Sequence, residues 1–178
     1  KLIQKTAEIK ARQDVETIFK WNNFKKIEIP CLIEGRENKT RLGKIKAHYD
    51  VYMLWKNALK KIKKNDWIYI QFPLLEHTML FSLLIKNLEK RGIHTSIIIH
   101  DVEAIRFTLR NDVPLSRKIR MRFEEISSFK NCSKIIVHNE KMKSFMHEKW
   151  KIHKDKMDIL GIFDYLVENY NEELLEKR

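Results

Sequence analysis

Polar side chains directly follow an apolar run at three places in the sequence. The candidate residues are His100, Asp101 and Arg106 in IIIHDVEAIR, His138, Asn139 and Glu140 in IIVHNEKM, and Phe163 and Asp164 in LGIFDYL. Short apolar runs predict buried strands, and ligands of an open parallel sheet bind beyond the carboxyl ends of its strands. These residues are therefore the first candidates for a catalytic or substrate-binding site.

The pair His100–Asp101 ends the most apolar of these runs and is the catalytic candidate. A histidine has an unperturbed pKa of about 6.5, which suits proton transfer at neutral pH. His100 would act as a general base or bind a substrate hydroxyl, and the alternative is a purely structural histidine. Asp101 has two equally acceptable roles, a catalytic carboxylate and an N-cap of the helix that follows.

The remaining candidates would bind substrate or complete helix ends. Arg106 carries a planar guanidinium, which fits a diphosphate or the carboxylate of Asp101 equally well. Asn139 is typical of an N-cap, and Glu140 in the first helical turn would favour the helix dipole.

For His138 both a binding and a structural role are open. Gly161 is expected to permit a tight chain reversal. Phe163 is either a core residue or an aromatic platform for a ligand.

Several common sites are missing from the sequence. There is no GxGxxG and no GxxxxGK[ST], and the four glycines are isolated, so no loop here can cradle a diphosphate in the usual way. A GxSxG elbow and an HExxH helix are absent as well. Cys31 and Cys132 lack the spacing of a zinc site or a disulfide framework. We therefore expect neither a metal nor a cofactor.

Hydrophobic periodicity predicts alternating helices and strands. Helices are expected near residues 7–20, 45–62, 78–91, 115–130, 140–150 and 167–177, and strands near 27–31 (short or edge), 67–72, 95–100, 134–138 and 157–163. Ile45, Tyr49, Ile119 and Phe123 are among the expected inward positions. This order predicts a Rossmann-like α/β domain with a mostly parallel sheet and helices on both faces, comprising residues 1–166, with a charged C-terminal helix at 167–178.

The chain of 178 residues has a formal charge of +12, which favours an anionic partner such as nucleic acid, phospholipid headgroups or a phosphorylated substrate. The lysines of Lys56–Lys64 form the densest basic cluster, and a solvated helix face is its simplest interpretation. No apolar run approaches the roughly 20 residues that cross a bilayer, and no signal peptide is recognisable, so a cytoplasmic location is expected.

Five segments together resemble the N-terminal domain of a bacterial GT-B glycosyltransferase family. They are KARQDVETIFKWNNFKKI, DWIYIQFP, IIIHDVEAIRF, KIIVHNEKMKSFM and LGIFDYL. The family includes galactofuranosyltransferases and the third glucosyltransferase of serine-rich streptococcal adhesin glycosylation. The resemblance spans about residues 10–166, and HDVEAIR and HNEKM are its most specific parts.

The resemblance implies that a hexose is transferred from a UDP-sugar to a glycan or glycoprotein acceptor. The acceptor would lie on this half, and a second Rossmann-like domain, not in this sequence, would hold most of the nucleotide, so the chain alone is expected to be inactive. His100 and Asp101 would face the cleft, and Arg106 would shape the acceptor or phosphate region. Neither metal nor cofactor is implied.

A second hypothesis comes from the charge. The chain would then be a basic, non-catalytic interaction domain that binds a partner glycosyltransferase, an anionic membrane surface or nucleic acid. Peripheral association with the inner membrane face and homo-oligomerisation are both compatible with the sequence.

Overall fold

A computed structural model describes residues 7–29, 40–74, 78–107 and 112–161 of the chain. The helices are α1 (Ala7–Trp21), α2 (Arg41–Ala58), α3 (Phe81–Lys90), α4 (Glu103–Phe107), α5 (Leu115–Met121), α6 (Ser127–Asn131) and α7 (Glu140–Trp150). The strands are β1 (Trp67–Phe72), β2 (His94–Ile99), β3 (Lys134–Val137) and β4 (Met157–Ile159). The chain forms two compact units; Ile27–Gly161 is the larger, and α1 belongs to the other.

The four strands form one parallel sheet in the order β1-β2-β3-β4. Each pair of neighbouring strands is joined through at least one helix, as parallel pairing requires. The predicted Rossmann-like α/β class with a parallel sheet is therefore confirmed. None of the helices in the described part of the chain is long and apolar enough to cross a membrane.

The register separates the two faces of the sheet. Ile70, Ile97 and Ile135 are register partners on neighbouring strands, so their side chains share one face, where they join the buried core with residues of α3, α6 and α7. On the other face, Tyr69, Gln71 and Lys134 are only partly buried, whereas Ser96 and Ile98 of β2 are buried. The second face is thus the more polar one, and the side chains at its C-terminal edge form the candidate site.

Helix α3 ends as its sequence predicts. Gly92 has φ of +72°, its N–H donates to the carbonyl of Glu89 at 2.9 Å, and the N–H of Ile93 donates to that of Leu88 at 3.1 Å. This pair of hydrogen bonds is the Schellman motif, in which glycine adopts the left-handed conformation without a Cβ clash. The expected C-terminal cap is confirmed.

The helix predicted over 115–130 contains a π-helical turn, Arg122–Ile126, between α5 and α6. A π turn holds one residue more than an α turn, which rotates the preceding side chains by about 100° around the axis. Glu124 and Glu125 are therefore buried, whereas Ile119 and Phe123 are 40% and 50% exposed. The prediction that these two apolar residues point inward is wrong.

Two further expectations differ from the structure. Ile45 and Tyr49 lie on an exposed part of α2 rather than on its buried side. The short strand expected near Ile27 is not formed in the described residues 22–29. The C-terminal helix predicted at 167–178 lies outside the described residues.

At the N-terminal edge of the sheet, the carboxylate of Glu89 joins three elements. It accepts hydrogen bonds from the backbone N–H of Thr95 at 2.8 Å and from the hydroxyl of Thr95 at 2.6 Å. It also accepts from the backbone N–H of Ser133 at 3.0 Å and from the hydroxyl of Ser133 at 2.7–2.8 Å. Thr95 is fully buried, so its donors have no access to solvent. The end of α3 is thereby fixed to the starts of β2 and β3.

Replacing Glu89 by alanine should lower the free energy of unfolding by about 2–4 kcal/mol, because the donors of Thr95 and Ser133 would lose their acceptor. Urea unfolding measures the change. Glu148→Ala, at an exposed position of α7, is the control and should change the free energy by less than about 0.5 kcal/mol. Equal effects of the two substitutions would contradict this role of Glu89.

Candidate active site

His100 lies directly after β2 and still pairs with β1. Its backbone N–H donates to the carbonyl of Phe72 at 2.7 Å, and its Nε2 lies 2.7 Å from Oε1 of Gln71. Because the amide oxygen only accepts, Nε2 carries the proton in this arrangement, and Nδ1 is the acceptor nitrogen of the neutral ring. The contact with Gln71 thus orients the half-buried imidazole.

His138 occupies the equivalent place after β3. Its Nε2–H donates to the backbone carbonyl of His100 at 3.3 Å. The parallel sheet therefore brings the two predicted histidines together, and it adds Gln71, which the sequence analysis did not select. Gln71 could have been found by its place, as a polar residue near the end of the strand WIYIQF.

Asp101 forms a two-pronged ion pair with Arg106. Nε of Arg106 donates to Oδ1 at 3.0 Å, and Nη2 contacts Oδ2. Oδ1 also accepts the N–H of Val102 at 2.8 Å. Of the two partners considered for Arg106, the structure shows the carboxylate. The Arg106 side chain as a whole is 62% exposed, so the ion pair lies at the surface.

Glu125, rather than Asp101, binds the N–H groups at the start of α4. Its carboxylate accepts from Ala104 at 2.8 Å and from Glu103 at 3.3 Å. Burial, together with the neighbouring Glu103 and Glu124, raises the pKa of Glu125 to about 7, although the Ala104 hydrogen bond and Arg120 oppose the shift. The capping role considered for Asp101 thus belongs to a residue of the π turn.

Glu103 is bound by two arginines from α5. Nη2 of Arg117 lies 2.7 Å from Oε1, and Nη2 of Arg120 contacts Oε2. Arg120 also lies 3.6 Å from the buried carboxylate of Glu124. The two ion pairs of Glu103 join residues 14 and 17 positions apart, so no local spacing could reveal them. They hold α5 against the segment that follows β2.

At the start of α7 both helix-end predictions are confirmed. Oδ1 of Asn139 accepts the N–H of Met142 at 2.9 Å, and Glu140 is the first residue of the helix.

The third predicted group of site residues follows β4. Gly161 has φ of +77°, which fits the expected chain reversal. Phe163 and Asp164 lie outside the described residues, so their proposed substrate contacts stay predictions.

The described side chains at this edge offer imidazole, amide, carboxylate and guanidinium groups. They can bind hydroxyls by hydrogen bonds and accept a proton at a histidine nitrogen. In the described ranges, no group of three or more histidine, cysteine or acidic residues is arranged to hold a metal ion. The arrangement suits a polar, hydroxyl-rich ligand.

The fold and these strand-end residues define a Rossmann-like α/β domain with a polar site at the C-terminal edge of its sheet. The model of the glucosyltransferase 3-like N-terminal domain family matches residues 2–162, and the chain belongs to this family. The resemblance to the N-terminal domain of the glucosyltransferase 3 family, inferred from the sequence, is confirmed. The comparison with curated proteins finds no match.

The titration of Glu125 makes a pH-dependent contribution to stability. Between about pH 4.5 and pH 7 the folded protein holds a proton on Glu125 that the unfolded chain releases, so stability should fall as pH rises. The Glu125→Gln variant lacks this titration. Between about pH 5 and about pH 8, the wild type should lose roughly 2–3 kcal/mol of unfolding free energy relative to the variant.

Urea unfolding at the two pH values measures this difference. The control is Glu148→Gln on the exposed side of α7, which should follow the wild type at both values. If Glu125→Gln also follows the wild type, Glu125 does not titrate in this range.

Proposed function

We propose that this chain is the acceptor-binding half of a hexosyltransferase that uses a UDP-sugar, with a glycan or glycoprotein as acceptor. Membership of the glucosyltransferase 3-like family supports the transferase class. The observation that carries the proposal is the cluster of His100, Gln71 and His138 at the C-terminal edge of the parallel sheet, which is where such folds bind ligands.

The assignment to the acceptor side rests on the segments that follow the strands. β1 is followed by Pro73, β2 by His100 and Asp101, and β3 by His138 and Asn139. A diphosphate needs close approach to backbone N–H groups, which glycine-rich turns permit and these residues do not. We therefore assign most of the nucleotide binding to a second domain, and the chain alone should not transfer sugar.

Transfer forms a bond between an acceptor hydroxyl oxygen and C1 of the sugar, and it breaks the bond from C1 to the diphosphate oxygen. UDP leaves, and the hydroxyl loses its proton. We assign the uptake of this proton, or the hydrogen bond that orients the hydroxyl, to the imidazole of His100, because Gln71 fixes its orientation. Asp101, held by Arg106, would bind a further hydroxyl of the acceptor.

In the full-length transferase, His100→Ala should reduce sugar transfer by at least about 100-fold, as expected for loss of a proton-transfer group. The affinity for UDP should change by less than about twofold, because UDP binds mainly to the other domain. Steady-state release of UDP from UDP-glucose and UDP-galactose measures the first quantity, and calorimetric titration with UDP measures the second.

His94→Ala is the matched control. His94 is the first residue of the same strand, is half-buried like His100, and stacks on Trp67 at the opposite edge of the sheet. It should leave transfer within about threefold of the wild type. Loss of UDP affinity in His100→Ala would place the donor on this half. Equal losses of sugar transfer in His100→Ala and His94→Ala would contradict the catalytic role of His100.

A further inference from the structure

An exposed apolar row runs along α5 and into the π turn. Leu115, Ile119 and Phe123 are 72%, 40% and 50% exposed and follow one another at four-residue intervals. Single exposed apolar residues are ordinary on protein surfaces. Three at helical spacing form a continuous strip on one side of a helix, because residues three and four apart are neighbours there.

Two cations flank this row. Lys118 and Arg122 lie at positions adjacent to Ile119 and Phe123, are both exposed, and form no ion pair with a described acidic side chain. The arginines on the other side of the helix, Arg117 and Arg120, are bound to Glu103. On the inner side of the helix the arginine charges are therefore paired with carboxylates, whereas the outer side is apolar and basic.

From this arrangement we infer that the outer side of α5, defined by Leu115, Lys118, Ile119, Arg122 and Phe123, docks on an anionic phospholipid surface. An interfacial helix inserts apolar side chains at the boundary of the headgroups, while lysine and arginine reach the phosphates. The net charge of +12 provides attraction to such a surface and opposes self-association through the same basic side.

A lipid surface also fits better than an acidic protein partner. Headgroups rearrange around exposed cations, whereas a protein would need carboxylates placed against Lys118 and Arg122. α5 is already helical, and the ion pairs of Arg117 and Arg120 fix it to Glu103, so docking would require no coupled folding of this segment. Since Glu103 follows β2 closely, docking would place the C-terminal edge of the sheet near the membrane.

Co-sedimentation of this chain with vesicles tests the inference. The chain should bind vesicles of equal parts phosphatidylglycerol and phosphatidylcholine, and it should bind pure phosphatidylcholine at least about tenfold more weakly. Two variants, Leu115→Ser/Ile119→Ser/Phe123→Ser and Lys118→Gln/Arg122→Gln, should each reduce partitioning onto the anionic vesicles by about tenfold or more. All five positions are exposed, and circular dichroism checks that the variants remain folded.

Two matched controls separate binding through the outer side of α5 from nonspecific adsorption to the vesicles. Lys60→Gln/Lys61→Gln removes two exposed charges from the densest lysine cluster, and Leu42→Ser/Ile45→Ser removes two exposed apolar side chains of α2. Both should leave vesicle binding within about twofold of the wild type. The inference is overturned if the lysine control loses as much binding as Lys118→Gln/Arg122→Gln, or if the chain binds duplex DNA but not anionic vesicles.

Discussion

The parallel register of β1, β2 and β3 is the constraint on which the site depends. Because the strands run in the same direction, their carboxyl ends lie at one edge, and residues two apart along a strand return to the same face. His100 and His138 therefore become neighbours across two strands, and Gln71 reaches the imidazole of His100 from the third. The core on the opposite face holds this register through Ile70, Ile97 and Ile135.

A cluster of carboxyl groups and arginines holds the segment that follows β2. Glu125 binds the N–H groups of Glu103 and Ala104, while the side chain of Glu103 is bound by arginines of α5. The first contact comes from the π turn, in which Glu124 and Glu125 are buried and Phe123 is exposed. The same extra residue thus supports the candidate active site and creates the exposed side of α5.

Most of the architecture could be predicted from the sequence, since apolar runs and helical periodicity are local signals. They indicated β2, the cap at Gly92 and the position of His100 and Asp101 directly after β2. The π turn has no comparable signal, because the apolar spacing of Ile119, Phe123 and Ile126 fits an ordinary α-helix. Contacts between distant positions, such as Glu125 with Ala104, depend on the completed fold and could not be predicted from spacing.

We propose that the edge formed by His100 and Asp101 receives the acceptor and not the nucleotide. Hydrogen–deuterium exchange on the full-length transferase tests it most directly, with UDP and with the acceptor glycan added separately. We predict that the glycan slows exchange at residues 100–106 and 138–142, whereas UDP alone leaves both segments unchanged. Slower exchange with UDP alone, and none with the glycan, would contradict the proposed division between the two halves.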